Sequence, residues 1–155
     1  MTIARFKSQL SDAPSLYERD FYAWASEQAG LLSNGQTGQL DFANLAEEIG
    51  DLGRSEFRAY VSAYRVLLLH MLKWDHQPDK RTRSWLGSIN VQRVRVERVL
   101  EESPSLSSRT EEAITKAYRE ARIEAATETG LKIATFPELC SYELGEILMR
   151  PFDLD

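Results

Sequence analysis

The chain has 155 residues, the size of one domain, and its 43% of apolar residues is enough for an ordinary hydrophobic core. Its net charge of -5 argues against a surface that binds nucleic acid or anionic lipid throughout. Cys140 is the only cysteine, which excludes an internal disulfide, and the opening residues MTIARFKSQL lack the apolar run of a signal peptide or membrane span. We therefore expect a cytosolic protein without a membrane partner.

The first predicted helix runs from about Leu16 to Leu31, before the turn-rich loop SNGQTGQ. Ser15 and Glu18 have the spacing of a capping box at its start. Mostly apolar side chains share one face of it: Tyr17, Phe21, Trp24, Ala25, Gln28 and Leu32. The pattern indicates an amphipathic helix.

A second helix is predicted from Asp41, as its cap, to about Asp75. Gly50 and Gly53 lie inside it, and each costs roughly 1 kcal/mol relative to alanine, so a kink or a break there stays open. At 100° per residue the apolar side contains Leu45, Ile49, Leu52, Tyr60, Ala63, Leu67, Met71 and Trp74. His70 falls at the edge of the apolar side, which predicts a half-buried or buried ring, and His76 falls on the polar, solvated side.

Three further helices follow a break at Pro78. The third is predicted from about Arg83 to Glu102, the fourth from about Arg109 to Thr129, and a short fifth from about Tyr142 to Met149. The fold class is therefore all-α, with four main helices in a bundle and a short C-terminal helix. We predict a single helical domain over residues 1–155, with an N-terminal arm at 1–14 and a helical core at 15–150.

Two charged residues fall on faces that are otherwise apolar. Glu56 lies on the apolar side of the second helix, and Arg93, beside Gln92, lies on that of the third. Because an unpaired buried charge is costly, each should have a partner. If these helices pack antiparallel, Arg93 meets Glu56 or a nearby carboxylate, unless helix irregularity shifts the phases.

Several motifs resemble, in fixed order, those of a bacterial family catalogued only as domain of unknown function 29. They are NLAEEIGDLGRSE, LLLHMLKW, QPDKRTRSW, INVQRVRVERVLEESPSL and ELCSYELGEIL. The resemblance extends from about Tyr17 to Leu154 and implies a compact, all-helical, intracellular bacterial protein. It brings no established activity, so it assigns no catalytic residue. It marks Glu47, Glu48, His70, Leu72, Lys73, Trp74, Gln77, Pro78, Ser84, Trp85, Gln92 and Arg93.

The sequence has none of the standard metal, redox or phosphate-binding motifs, so we predict no metal and no cofactor. A metal site that joins Glu48 to His70 fails on distance, because 22 residues of straight helix span about 33 Å. His70 as a general base, with its pKa tuned by burial, stays an alternative to a core histidine.

Trp74 and Trp85 flank the connection around Pro78, and we expect them to pack against each other at a helical corner or to cap the end of the bundle. The alternative is a small-molecule pocket with aromatic walls and a few polar groups, as in an uncharacterised enzyme or ligand binder. The candidate cluster consists of His70, Trp74, Trp85, Gln92, Arg93 and Glu56.

The third helix has an outer side that suggests two kinds of partner. Five basic residues lie on or before it: Lys80, Arg81, Arg83, Arg95 and Arg98. These residues suggest a further alternative function, weak binding of nucleic acid, although no aromatic residue alternates with them. Val91 and Val94 form an apolar strip on the same side, and such strips mark interfaces. We therefore favour a helical protein-interaction or oligomerising module, with a second copy of the chain among its candidate partners.

Overall fold

The computed structural model describes residues 14–154, and within that range the chain is helical without a strand. The α-helices are α1 (Leu16–Arg19), α2 (Phe21–Ser33), α3 (Phe42–His76), α4 (Arg83–Glu102), α5 (Thr110–Thr129) and α6 (Leu144–Met149). The predicted all-α class, with four main helices and a short C-terminal one, is confirmed. None of the described helices combines the length and the apolarity that crossing a bilayer requires. The predicted arm, apart from Pro14, lies outside the described residues.

The chain divides into two compact units, and α3 contributes residues to both. Unit 1 extends to Asp51 and is described from residue 14, while unit 2 begins at Leu52. The single domain inferred from the length stays a prediction.

In unit 1 the first predicted helix is divided at Asp20, so its prediction as one element was wrong. Asp20 has φ -152° and ψ 85°, outside the helical region, and its carboxylate accepts a hydrogen bond from the Ala23 backbone at 3.0 Å. An aspartate competes with the helix in this way because its side chain replaces an intrahelical bond and caps the next helix. The predicted capping box of Ser15 and Glu18 is confirmed at the start of α1.

Three polar contacts join the helices of unit 1. Tyr17 Oη donates to Glu48 at 2.5 Å, and Trp24 Nε1 donates to Asp41 at 3.2 Å. The backbone amide of Asp41 donates to Gln28 Oε1 at 2.8 Å. Trp24 and Gln28 are the only side chains of the described part of unit 1 that are buried. The rings of Tyr17, Phe21 and Trp24 also pack together, with centroids 4.8 to 5.8 Å apart. Polar contacts and a small aromatic cluster, rather than an extensive apolar core, therefore hold this unit together.

Unit 2 has the hydrophobic core. Contacts between α3 and α5 advance along both helices, from Tyr60 with Thr110 to Lys73 with Glu128, so these two helices are parallel. An alanine every fourth residue of α5 lets its backbone approach closely: Ala113, Ala117, Ala121 and Ala125. The core residues from α3 include Tyr60, Ala63, Tyr64, Leu67, Leu68, Met71 and Leu72. α3 continues through Gly50 and Gly53 without a break.

The C-terminal segment of unit 2 lies against α5 and the last turn of α3. Gly130 ends α5 with φ +72°, a left-handed conformation that glycine adopts without a steric penalty. Tyr118 Oη donates to the Pro137 carbonyl at 2.8 Å, and Phe136 is buried beside His76. These contacts bring α6 to the corner that the sequence selected as a candidate site.

Candidate functional site

Asp75, in the last turn of α3, is the centre of the corner. Its carboxylate accepts hydrogen bonds from Tyr142 Oη at 2.7 Å and from two Arg150 nitrogens at 2.6 and 2.9 Å. Burial opposes its ionisation, but the bonds from Arg150 and Tyr142 outweigh that cost, so the pKa of Asp75 lies below its usual value. This carboxylate fixes both ends of the C-terminal helix to α3.

The two tryptophans have separate partners, and no contact between their rings occurs among the described residues. Of the two predicted arrangements, the packing of Trp74 on Trp85 was therefore wrong. Trp74 packs edge to face against Phe152, with ring centroids 5.5 Å apart. Arg81 donates to the Trp74 carbonyl at 3.0 Å and lies over the Trp74 ring. Trp85 instead lies beneath the ammonium group of Lys73, at 4.6 Å from its ring centroid. The ring that packs on Trp74 is that of Phe152 in the C-terminal segment, and local sequence could not predict this contact.

Arg93 does not pair with Glu56, so that prediction was wrong: Glu56 is exposed. Arg93 donates instead to the carbonyls of Ile147 at 2.9 Å and Glu146 at 3.2 Å, in the last turn of α6. The Glu146 carbonyl also accepts from the Arg150 backbone amide at 3.2 Å, and both carbonyls lie at the negative end of the helix dipole, which a cation stabilises. Burial, together with the charge of Arg150, lowers the pKa of Arg93. Arg93 therefore acts as a C-terminal cap for α6.

His70 is half-buried, as predicted, and its Nδ1 lies 2.8 Å from the Val66 carbonyl. A carbonyl only accepts, so Nδ1 carries the proton and the lone pair is on Nε2. Burial lowers the pKa of His70. His76 is also half-buried, with its ring 4.7 Å from that of Phe136, so its predicted solvation was wrong.

By helical phase Lys73 falls on the polar side of α3, yet it is only 8% exposed. Its ammonium group donates to Glu128 at 2.5 Å. The partner is 55 residues away in the sequence, so no local signal identifies it. Gln92 is buried too, and its Oε1 has no hydrogen-bond partner among the described residues.

The charged groups of the corner are bound to other groups of the protein. The corner therefore attaches the C-terminal segment to α3 and α4 and is less open than a binding site. Within residues 14–154, no group of three or more His, Cys, Asp or Glu side chains is arranged to hold a metal ion. Cys140 is half-buried, and burial raises the pKa of its thiol, which disfavours the reactive thiolate.

A more open feature is the cleft between α3 and α5, which we call the α3–α5 groove. It has a volume of about 650 Å³. Its apolar lining consists of Phe57, Val61 and Ile123. Its charged lining consists of Arg58, Arg65, Lys116, Arg119 and Glu120. Arg58 and Arg65 belong to α3, and α5 adds two more cations beside them, which periodicity within one helix does not predict.

The outer side of α4 presents Val91 and Val94, both more than half exposed. They line a shallow groove of about 370 Å³ together with Asn90, Arg95 and Arg98. Arg81, a member of the predicted basic cluster, donates to the Trp74 carbonyl and lies over the Trp74 ring.

Unit 1 exposes more apolar surface than the outer side of α4. We call its exposed large apolar residues the unit 1 apolar set. They are Phe21, Tyr22, Leu32, Phe42 and Ile49, each at least half exposed. The sequence prediction assigned Phe21, Leu32 and Ile49 to inner faces, and for these residues it was wrong.

Comparison with protein families gives one match. A family model described as "Domain of unknown function DUF29" matches residues 16–153. The chain belongs to this family. No curated protein and no solved structure matches it.

In this DUF29 chain, several residues of the family-like motifs make contacts within the fold. Glu48 binds Tyr17, Lys73 binds Glu128, and Gln77 donates to the Thr129 carbonyl at 3.2 Å. Trp74 and Arg93 both contact the C-terminal segment. These five motif residues therefore make contacts within this chain.

Proposed function

We propose that this DUF29 chain is a cytosolic, helical protein-interaction module whose docking surface is the unit 1 apolar set. One observation carries the proposal: the described part of unit 1 exposes five large apolar side chains and buries only Trp24 and Gln28. Exposed apolar groups in such numbers mark interaction surfaces. The single cysteine of the chain suits a reducing compartment.

The spacing of the unit 1 apolar set suits helix packing. Phe42 and Ile49 are seven residues apart on α3, and Phe21 and Leu32 are eleven apart on α2. Both intervals are close to whole helical turns, so each pair lies on one side of its helix. Partner helices bind to such stripes, and full burial of each large side chain contributes about 1.5–3 kcal/mol.

The alternatives have less support. The strip on α4 offers two valines, which are smaller than the phenylalanines and isoleucine of unit 1. Lys73, Asp75 and Arg93 at the corner are bound within the protein, which leaves less for a ligand to contact. No observation on the basic residues favours nucleic acid over protein.

Site-specific photocrosslinking in cells that express the full chain tests the proposal. A benzophenone amino acid is placed at Phe42 or Ile49, with the exposed Glu101 as the matched polar control and Val91 as the test of the α4 strip. We expect covalent products with protein from positions 42 and 49 and none from 101. Equal crosslinking at 101, no product from 42 and 49, or products from 91 alone would contradict the proposal.

A further inference from the structure

The α3–α5 groove combines an apolar lining with positive charge. Phe57 is buried beneath the guanidinium of Arg109, 3.6 Å from its ring centroid, and the ammonium group of Lys116, at 5.1 Å, whereas Ile123 is 58% exposed. The groove therefore offers apolar surface that a partner could bury. It lies wholly within unit 2, between two helices that share one core.

The cations of the α3–α5 groove are only partly neutralised. Arg65 pairs with Glu124, and Lys116 pairs with Glu112 at 2.8 Å. Arg58 and Arg119 form no ion pair with any residue in the described range. The complementary partner is therefore a helical surface that is apolar and acidic.

Unit 1 of a second copy has that chemistry. Between residues 14 and 51 the acidic residues are Glu18, Asp20, Glu27, Asp41, Glu47, Glu48 and Asp51, and Arg19 is the only basic one. Two such surfaces would repel each other, which disfavours pairing of unit 1 with unit 1. We infer that the unit 1 apolar set of one copy docks into the α3–α5 groove of a second copy, an inference that rests on the function proposed above.

This arrangement joins unlike surfaces, so the association is head to tail. In a pair, one copy keeps a free groove and the other keeps a free unit 1, and further copies add until a ring closes or a chain continues. The acidic charge of unit 1 and the cations of the groove attract across the interface, so salt weakens it. The shallow groove on α4, with Arg95 and Arg98, is the competing acceptor.

A mixing experiment tests the inference by sedimentation velocity of the full chain. One variant carries Arg58→Glu and Arg119→Glu, and the other carries Phe42→Glu and Ile49→Glu. We expect the unmodified chain to associate, each variant alone to associate about tenfold or more weakly, and an equimolar mixture to form a one-to-one pair, because each variant brings one intact surface. Raising sodium chloride from about 50 to about 500 mM should dissociate the complexes.

Control measurements distinguish a loss of binding from a loss of folding and test the competing acceptor on α4. Circular dichroism must show unchanged helix content, and Arg58→Lys with Arg119→Lys, which keeps the charge, should retain association. The inference is overturned if the unmodified chain stays monomeric, if the mixture stays monomeric, or if Arg95→Glu with Arg98→Glu abolishes association while the groove variant does not. Loss of association in the unit 1 variant alone overturns the groove as acceptor but leaves the proposed function intact. Photocrosslinks from positions 42 and 49 to a different protein would likewise overturn the groove as acceptor and leave the proposed function intact.

Discussion

Unit 1 and the corner of unit 2 use their side chains in opposite ways. At the corner, Lys73, Asp75 and Arg93 each have a partner within the fold. In unit 1, large apolar side chains such as Phe42 and Ile49 are exposed, each at 65%. The difference separates residues that stabilise the chain from residues that are available to a partner. Substitutions in the two regions should therefore change different measured quantities.

The largest expected loss of stability comes from the core that supports the corner. Leu68 is fully buried, so Leu68→Ala should lower the free energy of unfolding by about 2–5 kcal/mol through lost apolar burial and the cavity left behind. Urea denaturation monitored by circular dichroism measures it. The matched control is Ile49→Ala in unit 1, which should change stability by no more than about 0.5 kcal/mol. A larger loss at Ile49 than at Leu68 would show that the contrast between the regions is wrong.

A smaller loss is expected at Asp75, whose side chain is 23% exposed. Asp75→Asn keeps the shape but removes the charge that binds Arg150, and should cost about 1–3 kcal/mol in the same denaturation experiment. Asp79→Asn, at an exposed aspartate in the following turn, is the control and should have little effect. Equal effects at the two positions would indicate that the Asp75 contacts contribute nothing.

The pH dependence of Asp75 follows from its lowered pKa. A carboxylate with a folded-state pKa below its unfolded value stabilises the fold above the unfolded pKa of about 3.9 and loses that contribution as the pH falls. The difference in stability between the unmodified chain and Asp75→Asn should therefore be constant near neutral pH and shrink below about pH 4. A difference that grows on acidification would contradict this assignment.

Local sequence predicted the helices more accurately than their contacts. The bounds of α4 agree with the prediction at both ends, because Pro78 precedes it and Pro104 follows it. The break at Asp20 was missed because Ser15 and Asp20 both precede segments with helical periodicity, and the choice depends on how one side chain caps the backbone. Periodicity alone does not distinguish one long helix from two consecutive helices.

The contacts of the corner could not be predicted, because they join distant residues. Lys73 is buried through Glu128, and Arg93 caps a helix 53 residues further along the chain. The periodic pattern gives the side of a helix on which a residue lies, but not which element covers that side. For this reason Ile49 and Glu56, which were assigned to the apolar side of their helix, are exposed, and no element within residues 14–154 buries them.

The smallest effect is expected at His70, where the corner meets α5. Burial lowers the pKa of His70, the nearby charge of Lys73 lowers it further, and Glu128 opposes that change. The unfolded chain then binds more protons than the folded one, so stability rises with pH and is lost as the pH falls below the unfolded value of about 6.5. Nuclear magnetic resonance titration should place the His70 midpoint below that of a model peptide, and Lys73→Met should raise it. In His70→Gln, stability should fall less between pH 7 and pH 5 than in the unmodified chain. If Lys73→Met left the midpoint unchanged, the charge of Lys73 would not contribute to the lowered pKa of His70.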